Sequence, residues 1–306
     1  MGQKDLAAKQ FERSPEVFAD IINALVYEGE QVTDARNLRP APTESLYAAK
    51  NGVLRNQYND VSKYEIKEGR IAVQYTLENQ SRPDYRILLR KAGYEGAIYR
   101  QQYDGGDTYP AITLVLYWGD RRWKPGTDLH KFFSRKKIEI HSMARKYIDN
   151  ISLHIYPMKH LPKEIRQRFK SDMRVVADYL AEGKAYIPTK QRITDVEGTM
   201  RILYALTGET DFIDNLGELQ KQQEKGEKIT MEYALTRMKR EGREQGIKEG
   251  KKEGKKEGMI HCAKAFVQEA MVQKQSQEYI LSMLQTCFQL KEEEAVSLYR
   301  EGAVRP

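Results

Sequence analysis

The chain has 306 residues, with 51 Lys and Arg against 44 Asp and Glu, so it carries a formal net charge of +7. Its mean hydropathy is −0.72 and 40% of its residues are hydrophobic, enough for a packed core with much of the chain solvated. At roughly 100–200 residues per domain this is one large domain or two ordinary ones. No apolar run approaches the roughly 18 residues that a membrane span requires, and a membrane is not expected as a partner. The first residues mix Lys4, Asp5, Glu12 and Arg13 with few apolar side chains, unlike a signal peptide. Two cysteines, Cys262 and Cys287, exclude a disulfide framework and a Cys-rich zinc site, and they point to the reducing cytoplasm. The mild positive charge permits a polyanion such as DNA without demanding one.

In chain order, Pro15–Tyr27 reads as an amphipathic helix. Ser14 is a good N-cap, Pro15 suits the first helical position, and Phe18, Ile21, Ile22, Leu25 and Val26 recur at helical spacing. A polar connection with Pro40 and Pro42 follows, through Asn37–Asn51. Tyr58–Ile66 and Arg70–Gln80 then read as two strands about a turn of Lys67, Glu68 and Gly69. On the second strand Ile71, Val73, Tyr75 and Leu77 share one face, and Ala72, Gln74, Thr76, Glu78 and Gln80 the other. Asp84–Gln101 is helical, and a turn at Gly105 and Gly106 leads to Tyr109–Trp118. That run is continuously apolar, as in a strand covered on both faces. Ile151–Tyr156 is a further short strand, and the pattern from Pro162 to Leu219 is helical. The order predicts an α/β core with a helical C-terminal half.

The tail contains a repeat. Gly242, Gly246, Gly250, Gly254 and Gly258 recur every four residues, mostly preceded by Glu. Each glycine costs about 0.8–1 kcal/mol in a helix relative to Ala, so a semi-helical spacer is the plainer expectation and a self-pairing helix the sharper one. Beyond it, Ala263–Phe266, Tyr279–Leu284 and Ala295–Leu298 suggest a small helical hairpin.

Little of the usual chemistry is encoded. The five histidines lack His-Glu-x-x-His spacing, and no Gly-x-x-x-x-Gly-Lys-Ser/Thr loop occurs. Asp104–Asp107 reads as a turn. The strongest constellation is Asp60 with Glu78 and Gln80. Glu78 and Gln80 point the same way from one strand. A hairpin centred on Glu68 puts Asp60 on that face, about one residue pair from Glu78. Two carboxylates beside an amide or backbone carbonyl make a hard-oxygen site of the type that holds Mg²⁺, although on spacing alone ordinary surface carboxylates on a hairpin are the plainer reading.

The run Tyr75-Thr-Leu-Glu78-Asn79-Gln80-Ser81, followed by Asp84-Tyr85 and Arg90, resembles the Rpn (recombination-promoting nuclease) and YhgA-like transposase family of the PD-(D/E)xK nuclease superfamily. The opening Phe18–Ala24, the strand Ile112–Gly119 and the Glu-Gly tail extend the resemblance. It implies an αβββαβ PD-(D/E)xK core with a mixed central sheet. Asp60 and Glu78 would bind the metal, and Gln80 stands where the motif usually has Lys. Asp20, on the first expected helix, matches an acidic position that can complete the metal shell. Arg90, Lys63 and Tyr94 would contact DNA, with Gln102 a weaker candidate. The cofactor would be a divalent metal, Mg²⁺ first, with Mn²⁺ or Ca²⁺ as substitutes.

The domains expected are a nuclease-like core over 1–160, a helical extension over 161–230, the Glu-Gly spacer over 231–258 and a helical segment over 259–306. The expected function is metal-dependent DNA hydrolysis linked to recombination, mobile elements or genome defence. The alternative is a DNA-binding or oligomerising protein on the same fold with reduced chemistry, and the Glu-Gly repeat is the expected route to a homo-oligomer.

Overall fold

The computed structural model describes residues 3–48, 54–58, 60–103, 105–123 and 128–303, with the side chains at 44–48, 54–58, 184, 245 and 303 left aside. Two helices open the chain, α1 (Gln3–Glu12) and α2 (Pro15–Leu25). As expected, Ser14 caps α2 by accepting from the Val17 N–H, and Pro15 occupies its first turn. Strands β1 (Leu38–Pro40), β2 (Glu44–Ala48), β3 (Leu54–Tyr58), β4 (Val61–Lys67) and β5 (Arg70–Gln80) follow, then α3 (Ile87–Tyr103) and β6 (Ala111–Tyr117). Two short helices, α4 (Leu129–Arg135) and α5 (Ser142–Arg145), separate β6 from β7 (His154–Pro157). Strands β1 and β2 were not legible in the proline-containing connection, nor was β3 just beyond it. Within the turn expected after α3, Asp104 lies outside the described residues, while Asp107 accepts from the Ile71 N–H at 3.0 Å.

Five strands form one mixed sheet in the order β1-β4-β5-β6-β7, and β2 and β3 form a separate ribbon. The pairs β1–β4 and β4–β5 are antiparallel, whereas β5–β6 and β6–β7 are parallel. Helix α3 is the crossover that the parallel β5–β6 pair requires. Glu68 and Gly69 both take positive φ (53° and 76°), the two-residue turn that matches strand twist. The register slips between Glu65 and Ile66, where Ala72 is the extra residue on β5. A one-residue slip exchanges faces. It therefore carries Asp60, one step beyond the last pair Val61–Leu77, level with Glu78 rather than one pair away.

The two faces of β5 are as the alternation predicts. Tyr75 and Leu77 pack under the opening helices, while Gln74, Thr76 and Glu78 are buried on the α3 side. At the end of β6 the chain crosses the β5 exit so closely that a Cβ on Gly119 would lie 2.7 Å from the Ser81 carbonyl oxygen and 2.2 Å from the Tyr117 hydroxyl. Gly119→Ala is expected to cost about 1–3 kcal/mol by overpacking. It would show as a lower urea midpoint at unchanged slope, and an unmoved midpoint would refute the close approach.

Helices α6 (Lys163–Arg166), α7 (Met173–Glu182), α8 (Val196–Thr207), α9 (Asp211–Asp214) and α10 (Leu216–Glu224) form the expected helical stretch, and α1 packs on α8. The chain divides into two compact units, residues 1–235 and 236–306. Helix α11 (Met231–Val272) runs from the first into the second, followed by α12 (Gln277–Thr286) and α13 (Glu292–Ala303). In the second unit Ala263, Val267, Ile280, Leu284, Ala295 and Leu298 make a small core, so three helices stand where a hairpin was expected. The glycine repeat is continuous helix rather than semi-helical. Its glycines face open space, and Arg237–Glu241 and Arg240–Glu244 pairs at (i, i+4) offset part of the glycine penalty.

Candidate active site

Where β4 ends and β5 continues, Asn79 turns its N–H toward a neighbour strand that is no longer there. Asp60 supplies the missing acceptor, its Oδ2 taking that N–H at 2.6 Å. Its other oxygen, Oδ1, pairs with Lys9 Nζ from α1 at 3.0 Å. Beside it Glu78 is almost wholly buried under α3. Glu78 Oε2 pairs with Arg90 Nη2 at 3.1 Å, and Tyr94 Oη accepts from the same guanidinium at 2.9 and 3.2 Å. Glu78 Oε1 is buried with no hydrogen-bond partner among the described residues.

Burial, and next the negative Asp60, push the Glu78 carboxyl up to about 8, against the pull of Arg90 and Lys9. A third carboxyl, Glu12 at the end of α1, lies on the opposite face of the sheet and is fully buried. Asn79 Nδ2 donates to its Oε2 at 2.7 Å, while Trp118 Nε1 donates to Asn79 Oδ1. Burial drives the Glu12 carboxyl well above the ordinary range, the Asn79 bond opposes this, and Asp60 and Glu78 add to it. The end of β5 thus gathers three carboxyls that feel one another, with two cations, Lys9 and Arg90, holding them.

No group of three or more His, Cys, Asp and Glu side chains among the described residues has the spacing to hold a metal ion. Mg²⁺, however, is commonly held by one or two carboxylates with waters and substrate phosphates. The side-by-side pair Asp60 and Glu78, with one buried carboxylate oxygen unpartnered, suits that mode.

A family model described as "Putative transposase, YhgA-like" matches residues 9–197, well over half of the chain. The chain belongs to the YhgA-like transposase family. No curated protein and no solved structure matches it. The stretch that matches begins at Lys9, takes in Glu12, Asp60, Glu78, Gln80 and Arg90, and ends before the glycine repeat. The two segments that carried the resemblance meet in space, since Asn79 of the Glu-Asn-Gln-Ser run receives the Trp118 indole N–H.

The YhgA-like fold brings Asp60, Glu78, Arg90 and Tyr94 into one cluster. Gln80 stands two residues beyond Glu78 on the same face, half-buried at the strand end, and its main-chain carbonyl accepts from the Trp118 N–H. Two of the expected residues lie elsewhere. Asp20 is buried on α2, where its carboxylate receives the Lys170 and Ser171 N–H groups and the Ser171 hydroxyl. That carboxylate ties α2 to the start of the α7 region, whereas Glu12 of α1 feels both Asp60 and Glu78. Lys63 alternates onto the α1–α2 face. It is buried, donates to the Arg13 carbonyl at 2.8 Å and lies over the Phe18 ring, and burial lowers its ammonium pKa. It is a packing residue without a free charge for DNA. Tyr94 is also buried and positions Arg90. Gln102 brackets the Tyr109 backbone with two hydrogen bonds. Sequence reasoning missed Lys9 and Glu12. The signal available was Ala8 and Phe11 flanking them at helical spacing, just ahead of the Ser14–Pro15 cap.

Proposed function

We propose that the chain is a metal-dependent DNA endonuclease on a PD-(D/E)xK core, hydrolysing phosphodiester bonds in the service of recombination, mobile elements or genome defence. Support for the core comes from the succession α2, β1, β4, β5, α3, β6, which follows αβββαβ once the β2–β3 ribbon is set aside as an insertion. The observation that carries the reading is the level pair Asp60 and Glu78 at the open strand end, with Glu78 Oε1 unpartnered among the described residues. Asp60 and Glu78 would hold the divalent cation, Mg²⁺ first and Mn²⁺ or Ca²⁺ as alternatives. A cation there would supply Lewis-acid polarisation of a phosphate and an acidified water. Gln80 would orient the water or a phosphate oxygen as a neutral donor. Lys9 would bring the positive charge that an amide lacks, and Arg90, held by Tyr94, would fix the Glu78 carboxylate.

A second reading, a DNA-binding protein whose chemistry has lapsed, is favoured by one fact. Both Asp60 oxygens and Glu78 Oε2 are already engaged by Lys9, the Asn79 N–H and Arg90. Nicking of supercoiled plasmid with Mg²⁺, Mn²⁺, Ca²⁺ or EDTA, beside Asp60→Ala, decides between them. Metal-dependent nicking that disappears in the variant is expected. Equal inertness, with both proteins still shifting DNA on a gel, would select the second reading. No helix among the described residues is long and apolar enough to cross a membrane. A cytoplasmic location and self-association through the Glu-Gly repeat complete the proposal, the latter checked by light scattering with and without residues 241–258.

A further inference from the structure

Arg90, Lys63 and Tyr94, the residues that the sequence offers to DNA, are committed to internal partners. The exposed positive charge lies elsewhere. Between Tyr117 and His154 the sequence has nine Lys and Arg against four Asp and Glu, a local +5 in a chain of +7. Because residues 1–230 carry 37 basic and 32 acidic side chains, the rest of that stretch outside this connection carries no net charge. A charge excess concentrated in one connection is a surface feature with a direction, unlike a diffuse +7.

The described residues of the connection, 118–123 and 128–153, form a two-sided lobe. Its inner side is apolar. Trp123 stacks edge-on against Tyr117 and Tyr85, with ring centroids 5.1 and 6.1 Å apart. Leu129 and Phe132 join the cluster of Ile87 and Leu88 at the start of α3 with Val115 of β6. Its base is closed by the Asp128–Ser152 bridge, the Leu129 N–H to the Ile151 carbonyl at 3.0 Å, and the His130 ring against the Ile148 carbonyl at 2.9 Å. With the base pinned, the outer side is presented rather than left to wander. Arg121, Arg122, Lys136, Lys137, Arg145 and Lys146 are all exposed there. Tyr147, 80% exposed, stands beside Lys146, whose Nζ lies 5.1 Å from the ring centroid.

The location matches the chemistry. Strands β5 and β6 are parallel and in register at Gln80 and Tyr117, so both end at the same edge of the sheet. The lobe leaves that edge directly after β6, the same edge at which Glu78 and Gln80 sit. We propose that this lobe is the surface that grips the phosphodiester backbone of duplex DNA and sets the duplex over the β5 strand end. Lys and Arg there bind phosphates independently of sequence and hold register without reading bases. The choice of duplex DNA among polyanions rests on the nuclease reading. An anionic membrane is the less favoured partner, because α4 and α5 have seven and four residues, too short for an interfacial helix with a continuous apolar face.

The test uses the full chain and a short fluorescent duplex, with anisotropy followed across a salt series. Lys136→Gln, Lys137→Gln, Arg145→Gln and Lys146→Gln are combined in one variant, with Lys136→Arg and Lys137→Arg as its charge-preserving partner. Each cation withdrawn from a phosphate lowers the slope of log affinity against log salt by about 0.9, so the four-site variant should drop by about 3–4 in slope and bind at least ~100-fold more weakly at physiological salt. The arginine variant should bind as the wild type does, and matching circular dichroism and urea midpoints would show all three equally folded. Unchanged affinity and slope in the four-site variant would overturn the proposal. So would a wild type that ignores DNA, or one that prefers phosphatidylserine vesicles to the duplex. Asp60→Ala in the same assay keeps the two readings apart. If neither it nor the wild type nicks, yet both bind through the lobe, the nuclease reading falls and the DNA grip stands. If the wild type nicks while the four-site variant binds normally, the reverse holds.

Discussion

Glu78→Gln should flatten a fall in stability that the wild type shows as pH rises from about 4.5 to about 8. The carboxyl sits at about 8 in the folded chain against an ordinary 4.5, first because it is buried and then because Asp60 stands beside it. Below the ordinary value both states are protonated and Glu78 costs nothing. Between the two values the unfolded chain releases the proton while the folded chain keeps it, so stability declines with pH and the full penalty is present above about 8. At about 1.4 kcal/mol per pH unit, the penalty amounts to several kcal/mol. Glutamine keeps the shape and removes the charge. Arg90 then turns to solvent at little cost, since its side chain is 38% exposed. Urea midpoints of the two proteins should coincide near pH 4 and separate above pH 7, the variant being the more stable. The same variant should show no nicking above the EDTA control. Mg²⁺ should raise the melting temperature of the wild type more at alkaline than at acid pH, because a cation and a proton compete for one carboxylate. Parallel midpoint curves would show that Glu78 does not carry the penalty.

Asn79→Ala should be the most damaging single truncation near the site. The amide joins two groups that have nowhere else to turn, the Glu12 carboxyl and the Trp118 indole N–H, both fully buried. Truncation strands both and leaves a small void, at a combined cost of about 3–5 kcal/mol. The Asn79 main-chain N–H still reaches Asp60, so the loss falls on stability and on the seating of α1, and the Asp60–Glu78 pair keeps its backbone support. A double-mutant cycle with Glu12→Gln should return a coupling of about 1–3 kcal/mol. Additive effects, or an Asn79→Ala loss below about 1 kcal/mol, would mean that the amide does not bridge α1 to β6.

The chemistry of the strand was legible where side-chain period and local spacing decide it. Period-two alternation from Ile71 to Gln80 places Glu78 and Gln80 on one face, and the hairpin places Asp60 there with them. Ser14–Pro15 and the glycine-bounded apolar run of β6 marked two more elements. The family was legible for a related reason, because Glu-Asn-Gln-Ser and Thr-Leu-Val-Leu-Tyr-Trp-Gly are local strings. Lys63 could have been turned inward by the same alternation, since it pairs with Tyr75 in the ladder. Elements of three to five residues, such as β1 and β2, are too short to show a period. The lobe between β6 and β7 shows none, because it is mostly exposed.

Sequence alone therefore determined what nearest neighbours along the chain determine: the α/β order, the strand that carries Glu78 and Gln80, and the family. Tertiary structure decided what separates Asp20 from Glu12. Both are acids on early helices, yet only α1 ends against β5, about 67 residues away along the chain. Its docking brings Lys9 to Asp60 and Glu12 to Asn79. Tertiary structure also decided the level of Asp60, through one extra residue on β5. It raised the Glu78 pKa as well, since desolvation belongs to a buried place rather than to a residue type. Charge count is additive and readable from the chain, whereas burial and distance between remote segments exist only once α1 and α3 have closed over the two faces of the sheet.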